Sequence, residues 1–161
     1  MDCSVIITAN GSGERMKAIT DSPKFSLYYG NKRILEHLLI IFPTAKVLTH
    51  YSIPYIDQSK IIKCKPTNSR KETLENLKGM KNVLIVDCDI LVENMSFAFI
   101  QKDILCKKGN VNSGLYYFAH MDKALAKMQG DAIETGMNNP LIHPLETIHL
   151  GTPEEYYNAI L

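Results

Sequence analysis

Two short stretches of this sequence hold residues able to do chemistry together. The first is Asn10-Gly11-Ser12-Gly13, followed by Arg15, Lys17 and then Pro23-Lys24. Glycines let a backbone approach a ligand closely, and amides left exposed at a turn favour an anion. Arg15 supplies a planar fork for phosphate oxygens and Lys24 a point charge. The spacing is not that of a P-loop, whose Gly-Lys-Ser/Thr ending is absent. Nor is it a dinucleotide fingerprint, since Met16 stands where the third glycine belongs. Taken alone, the stretch reads equally well as a tight turn with a solvated basic face. The second stretch is Asp87-Cys88-Asp89, at the end of the apolar run "NVLIV". Paired carboxylates suit a magnesium ion, which takes one or two of them together with substrate phosphates and water. The plain alternative is a strand-end turn whose aspartates cap the next segment of chain. The two stretches together say more than either does: amides, Arg and Lys for phosphates, facing a carboxylate for magnesium, are what nucleotide phosphoryl chemistry requires.

Such groups need elements that bring them to one place. Residues 4–9 read as a buried strand running into the glycines. Residues 34–42, "ILEHLLIIF", read as a helix, 45–49 as a strand, 55–60 as a short helix and 60–64 as a short strand. Ser69 with Glu72 has the spacing of a capping box and predicts a helix over 70–78. Residues 82–86 form a continuous apolar run, as in a parallel strand buried on both faces. Strand alternating with helix implies a parallel sheet with right-handed crossovers, and ligands of such sheets bind beyond the carboxyl ends of the strands. After residue 92 the pattern changes: helix over 97–106, strand over 111–118, helix over 121–128, an irregular stretch over 140–150 with a strand near 147–150. A closing helix runs over 153–161, capped by Thr152 with Pro153 in its first turn.

Composition narrows the partners. The chain has 161 residues, enough for one domain with a proper core, and a net charge of +1. No strong field of either sign recommends a nucleic acid or a membrane surface as partner. No apolar run approaches the ~20 residues of a membrane span, and "MDCSVIITANG" lacks the basic start of a signal peptide, so a cytoplasmic location is expected. Cys3, Cys64, Cys88 and Cys106 are scattered without a CxxC pair and read as small apolar residues in a reducing compartment.

At this point the sequence resembles a known family. "ITANGSGERMKAITDSPKF" followed by "GNKRILEHLL" is similar to the opening signature of the sugar-1-phosphate nucleotidyltransferases, or NDP-sugar pyrophosphorylases, which have a glycosyltransferase-A-like fold. "LIVDCD" resembles their strand ending in a metal-binding aspartate, "VNSGLYYF" their Asn-x-Gly strand, and "IHLGTPEEYYNAI" their closing Asp-Ile-Gly-Thr-Pro segment. The matching pieces cover about half the chain, in the family's order. The resemblance implies an α/β fold, a three-layer α/β/α sandwich with a mostly parallel, mixed, Rossmann-like central sheet. It implies a single domain over 1–161, with a nucleotide-binding half over 1–92 and an acceptor-binding half over 93–161.

The implied reaction moves a nucleotidyl group from an NTP to a sugar 1-phosphate or another small phosphomonoester and releases pyrophosphate. The attacking oxygen is already ionised, so positioning and charge neutralisation carry the catalysis. By this resemblance Arg15, Lys24 and Asp89 are catalytic. Ala9, Asn10, Gly11, Ser12, Gly13 and Asn68 line the nucleotide, with Thr67 and Ser69 beside Asn68. Asn112, Gly114 and Glu134 face the acceptor. Magnesium, or manganese in its place, sits on Asp89, with Asp87 and His149 as weaker ligand candidates. A homo-oligomer is compatible with the sequence.

Two departures from the family pattern stand out. His149 replaces the second metal aspartate; it leaves three readings open, a metal held by Asp89 alone, a softer metal on His149, or an impaired site. Asn10 replaces a glycine, a substitution that a left-handed turn tolerates. The short second half favours a small acceptor, with His120, Lys123 and Lys127 as further candidate contacts that read equally as surface. Two other readings remain. One is a catalytically impaired nucleotide-binding module serving a regulatory or scaffold role. The other is a molybdopterin-type nucleotidyltransferase, which shares Cys88-Asp89 but has a proline soon after that "DILVEN" lacks.

Overall fold

The computed structural model describes residues 3–93 and 102–161. Among the described residues eleven strands and four helices occur in the order β1 (Ser4–Thr8), β2 (Tyr28–Tyr29), β3 (Lys32–Arg33), α1 (Ile34–Ile41), β4 (Lys46–Thr49), β5 (Ile61–Lys63), α2 (Arg70–Leu74), β6 (Lys81–Asp87), β7 (Ile90–Leu91), β8 (Ile104–Lys108), β9 (Val111–His120), α3 (Met121–Lys127), β10 (Leu141–Pro144), β11 (Ile148–His149) and α4 (Pro153–Ile160). Short 3-10 turns join several of them.

Seven strands form one sheet in the order β10-β8-β9-β6-β1-β4-β5. All neighbours are parallel except where β9 meets β6 and β8, so β9 alone runs against the rest. Side chains alternate across the sheet and build two cores. Ile7, Val47, Leu84, Val86 and Tyr117 pack with Ile34, Leu35 and Leu38 of α1, joined by Tyr156 and Ala159 of α4. Ile6, Leu48, Val83, Ile85, Tyr116 and Phe118 pack on the other face with Leu74 of α2 and Met121, Ala124 and Leu125 of α3. The fold is therefore the expected three-layer α/β/α sandwich with a mostly parallel, mixed sheet.

The caps form where the sequence places them. The Ser69 hydroxyl accepts from the Glu72 N–H at 3.1 Å, and the Glu72 carboxylate accepts from the Asn68 N–H at 2.8 Å. Thr152 accepts from the Glu155 N–H at 3.2 Å, with Pro153 opening α4. Three expectations need correction. The helix over 70–78 ends at Leu74 and tightens into a 3-10 turn over Glu75–Leu77. The helix expected over 97–106 is contradicted at its end, because Ile104, Leu105 and Cys106 belong to β8; its first part lies outside the described residues. The stretch over 140–150 is not irregular at its start: β10 pairs in parallel with β8 from Leu141↔Ile104 to Pro144↔Lys107. In both cases a partner strand supplies the backbone hydrogen bonds, a non-local term that no local pattern announces.

Candidate active site

The carboxyl ends of β1 and β6 open into a cavity of about 620 Å³. Three segments wall it: the loop after β1, the start of α2 with the residues before it, and the turn after β6. The loop after β1 turns at Gly13, whose φ of 72° favours glycine, and closes with the Met16 N–H donating to the Gly13 carbonyl at 3.0 Å. Gly11, Ser12, Gly13 and Arg15 line the cavity, as does Lys24 further along the chain. On the side of α2, Asn68 lines it together with Thr67 and Ser69.

Asn10 also lines it, but its side chain is occupied. Its amide donates to the Thr67 hydroxyl at 2.9 Å and to the Lys65 carbonyl at 3.1 Å, while its oxygen accepts from the His50 N–H at 2.7 Å. The His50 imidazole touches the same oxygen. Burial, helped by Lys63, pushes the His50 pKa below its ordinary value, which suits a neutral ring in that place. Asn10 thus brackets three strand ends, and the left-handed residue of the turn is Gly13 instead. Tyr51 adds a bond from its hydroxyl to the Gly11 carbonyl at 2.6 Å. Ala9 lies beneath, fully buried, its carbonyl accepting from Thr49 at 2.6 Å, and does not line the cavity.

The charged centre is the turn after β6. Lys24 Nζ meets Asp89 Oδ2 at 2.7 Å and Arg15 Nη2 lies 3.7 Å from the same oxygen. Burial raises the Asp89 pKa, but the charge and hydrogen bond of Lys24, with Arg15 behind, outweigh it and hold the carboxyl below its usual range. Burial likewise opposes the charge on Lys24; the charge and hydrogen bond of Asp89 overcome it and raise its pKa. Asp87 shares its strand face with Val83 and Ile85, toward α2, where it pairs with Arg70 Nη2. Burial pushes its pKa up to about 6 against the pull of Arg70, with the Asp89 charge adding to the rise. Between the two carboxylates, burial pushes the Cys88 thiol up to about 12, which leaves it inert.

Three site residues escaped sequence reasoning. Arg70 opens α2, lines the cavity and lies with its guanidinium carbon 5.3 Å from the centre of the Tyr116 ring. Asp131 lines the cavity and accepts from the Arg70 N–H at 2.9 Å. Gly151 backs the centre: a Cβ on it would fall 2.5 Å from Asp89 Oδ2 and 3.5 Å from Arg15 Nη2. The signal for Gly151 was present, since it belongs to "HLGTP". The signal for Arg70 was a cation immediately after an N-cap, which reads as an ordinary solvated residue.

The expected acceptor and second metal residues lie apart from the cavity. Gly114, with φ at 91°, sits behind Asp87; a Cβ there would meet Ile90 at 3.0 Å and Asp87 Oδ2 at 3.3 Å. Asn112 lies near the start of β9 opposite Lys107, and Glu134 lies in a 3-10 turn whose neighbours Asp131 and Ile133 reach the cavity in its stead. His149 pairs with Ile90 across β11 and β7, and its neighbour Leu150 donates its N–H to the Asp89 carbonyl at 2.7 Å, but the His149 ring lies 3.5 Å from Thr147 and lines a separate small cavity. His120 pairs with Lys81 at the opposite end of the sheet, and Lys127 donates to the Met137 carbonyl at 3.0 Å. Lys123 is exposed on α3.

Among the described residues no cluster of three His, Cys, Asp or Glu side chains stands ready for a metal. The donors at hand are the two aspartates, both hard oxygen ligands with a cation on one oxygen each. That set fits magnesium, which completes its shell with water and substrate phosphate, and does not fit a softer metal held by His149.

The fold is shared with solved nucleotidyltransferases. The chain aligns with the CTP:phosphocholine cytidylyltransferase of Streptococcus pneumoniae at a TM-score of 0.79 and 13% identity, over 98% of this chain and 97% of that one. The UTP-bound UGPase of Acinetobacter baumannii gives 0.71 and 12%, over 99% and 92%. The nucleoside-diphosphate-sugar pyrophosphorylase of Vibrio cholerae gives 0.67 and 15%, over 97% and 99%. No protein-family model matches the sequence, and no curated protein matches it significantly. The molecule has the nucleotidyltransferase fold.

Among the described residues no helix is long and apolar enough to cross a membrane. The four cysteines are all free thiols.

Proposed function

We propose that this chain is a nucleotidyltransferase that moves an NMP group from an NTP to a small phosphomonoester and releases pyrophosphate. The observation that carries the reading is the centre around Asp89. One nearly buried carboxylate is held by Lys24 and Arg15 against a glycine turn, at the carboxyl ends of two parallel strands of this fold. Solved proteins of the same fold include a UTP-bound enzyme and one complexed with GMP-PN.

The chain's own groups suit the chemistry. Gly11, Ser12 and Gly13 line the cavity where a triphosphate would lie and have amides to offer it, and Arg15 would reach the leaving phosphates. Lys24, largely buried, neutralises charge at the α-phosphate, where a low-dielectric setting strengthens each interaction. The acceptor phosphate oxygen attacks the α-phosphorus, the bond to pyrophosphate breaks, and its electron pair leaves with pyrophosphate; no proton need move. Asp89 and Asp87 would hold magnesium, or manganese in its place, which supplies Lewis-acid neutralisation of phosphate charge. The whole chain acts as one domain, with residues 1–92 serving the nucleotide and 93–161 the acceptor, at a cytoplasmic location and as a monomer or homo-oligomer.

The test is pyrophosphate release with CTP, UTP, dTTP, GTP and ATP against phosphocholine, glucose 1-phosphate and inositol 1-phosphate, in magnesium and then manganese. Release from one pair, lost in Asp89→Ala, supports the transferase. Nucleotide binding without release from any pair favours a second reading, a non-catalytic nucleotide-binding module. That reading draws on one observation: the His149 ring, at the place of the family's second aspartate, points to Thr147 instead of Asp89.

A further inference from the structure

The start of the glycine loop is held from outside the cavity. Three successive residues at the end of β4 and just past it, Thr49, His50 and Tyr51, bond to three successive residues after β1. The Thr49 hydroxyl donates to the Ala9 carbonyl at 2.6 Å, the His50 N–H to the Asn10 side-chain oxygen at 2.7 Å, and the Tyr51 hydroxyl to the Gly11 carbonyl at 2.6 Å. Asn10 and Gly11 line the cavity; Thr49, His50 and Tyr51 do not. Tyr51 is itself braced. Its N–H donates to the Thr49 hydroxyl at 3.0 Å, its carbonyl accepts from Lys63 at 2.9 Å, and its ring meets the buried Phe25 edge-on with 5.6 Å between centres. Burial raises the pKa of its hydroxyl, which stays a donor at neutral pH.

Packing does not hold the two glycines of the loop. A Cβ built on Gly11 or Gly13 would meet no atom within 4 Å. Their places rest on hydrogen bonds, Tyr51 to the Gly11 carbonyl and Met16 to the Gly13 carbonyl. The peptide that joins Gly11 to Ser12 is trans, so its carbonyl and its N–H point in opposite directions. Its carbonyl is turned out to Tyr51, which leaves the Ser12 N–H on the other side, and Ser12 lines the cavity. The same bond keeps a carbonyl dipole off a polyanion. A glycine peptide left unheld turns easily, and the cost of ordering it would then fall on ligand binding.

We propose that Tyr51 is a positioning residue for nucleotide binding: its hydroxyl fixes the peptide between Gly11 and Ser12 so that the Ser12 N–H is presented to a phosphate of the bound NTP. The assignment rests on the nucleotide-binding part of the reading above and does not need turnover.

The experiment compares wild type, Tyr51→Phe and Tyr51→Leu. Phe removes the hydroxyl and keeps a ring against Phe25; Leu removes both. Dissociation constants are measured by calorimetry, in magnesium, for the NTP that wild type binds most tightly and for inorganic pyrophosphate, with thermal unfolding alongside. Loss of one neutral hydrogen bond predicts that Tyr51→Phe weakens both ligands by about 3–10-fold and unfolds close to the wild-type midpoint. Tyr51→Leu weakens both ligands at least as much and lowers the midpoint as well. An NTP Kd that stays put in Tyr51→Phe overturns the assignment, whether or not Tyr51→Leu loses affinity, because the ring and not the hydroxyl would then matter. A loss seen for NTP and absent for pyrophosphate overturns it too, since the effect would lie on the base or ribose. A wild-type protein that binds NTP and releases no pyrophosphate with any acceptor overturns the transferase reading and leaves the Tyr51 comparison standing. One that binds neither ligand overturns both.

Discussion

The carboxylates of Asp89 and Asp87 leave the same strand two residues apart and end in different electrostatic settings. Their exposure is nearly equal, 16% and 20%, so burial does not separate them. The number of cations does. Asp89 has Lys24 at 2.7 Å and Arg15 at 3.7 Å; Asp87 touches Arg70, feels Lys24 and Arg15 only at longer range, and has the charge of Asp89 nearby. Asp89 therefore stays ionised below the ordinary carboxylate range, while Asp87 takes up its proton near pH 6. Two like charges in one site are separated by their counter-ions, and the better-paired one is suited to a permanent role. Each also leans on a glycine, Gly151 behind Asp89 and Gly114 behind Asp87, where a side chain would collide with the carboxylate or its neighbour.

Removing each carboxylate in turn probes this difference most directly. Asp89→Ala should lower pyrophosphate release by about 10³-fold or more, as loss of a central charge-stabilising group does. It should also cost about 3 kcal/mol of stability in urea unfolding, because Lys24 is left largely buried without its partner. Asp87→Asn, which removes the weaker of the two metal-holding carboxylates, should lower the rate by only about 10–100-fold. Equal losses would mean that the two sites do the same work.

The glycines come next. Gly151→Ala places a Cβ 2.5 Å from Asp89 Oδ2, so the carboxylate must shift; we expect kcat to fall by up to about 100-fold, as displacements of about 1 Å do, with little change in nucleotide Kd. Gly114→Ala combines a left-handed φ with contacts to Ile90 at 3.0 Å and should act mainly on stability, by about 1–3 kcal/mol in thermal or urea unfolding. A Gly151 variant that loses stability and keeps its rate would reverse the roles assigned to the two glycines.

The smallest effect is on pH. Between its ordinary 3.8 and its raised value of about 6, Asp87 holds a proton in the folded chain that the unfolded chain has released. Its contribution to stability therefore grows as pH falls from 7 through 6, by about 1 kcal/mol at pH 5. Asp89 acts with the opposite sign and in a lower window: its stabilisation is complete above about 3.8 and is lost as pH falls through its depressed folded value. Unfolding measured from pH 7 to 5 should show the gain in wild type and lose it in Asp87→Asn. An identical slope in both would place the titrating group elsewhere.

Much of this architecture was legible locally. The strand of "NVLIV", the helix of "ILEHLLIIF" and the caps at Ser69 and Thr152 follow from periodicity and from side chains that reach only three or four residues. β8 and β10 were not legible, because Ile104–Lys108 and Leu141–Pro144 become strands through each other and through β9, the reversed strand. The site divides the same way. Arg15, Lys24 and Asp89 were singled out by residue type and given their roles by the family resemblance, and Arg15 and Lys24 each come within 4 Å of Asp89. Arg70 was not, because a basic residue after a cap looks solvated until Asp87, Tyr116 and Asp131 are seen around it. Asn10 was expected to serve a turn or a nucleotide and instead spends its amide on Lys65, Thr67 and His50.

Residue order is enough to say which groups are available: a glycine turn with two cations, a strand end with two carboxylates, and an alternation that buries the strands between two helical layers. These are short-range properties, carried by covalent spacing and side-chain type. How the charges are shared is a matter of folding, since Asp89 meets Lys24 across 65 residues, Asp87 meets Arg70 across 17, and Gly151 closes behind Asp89 from the far end of the chain. A coulombic or steric term depends on distance through space, and distance through space exists only once the sheet has ordered its strands.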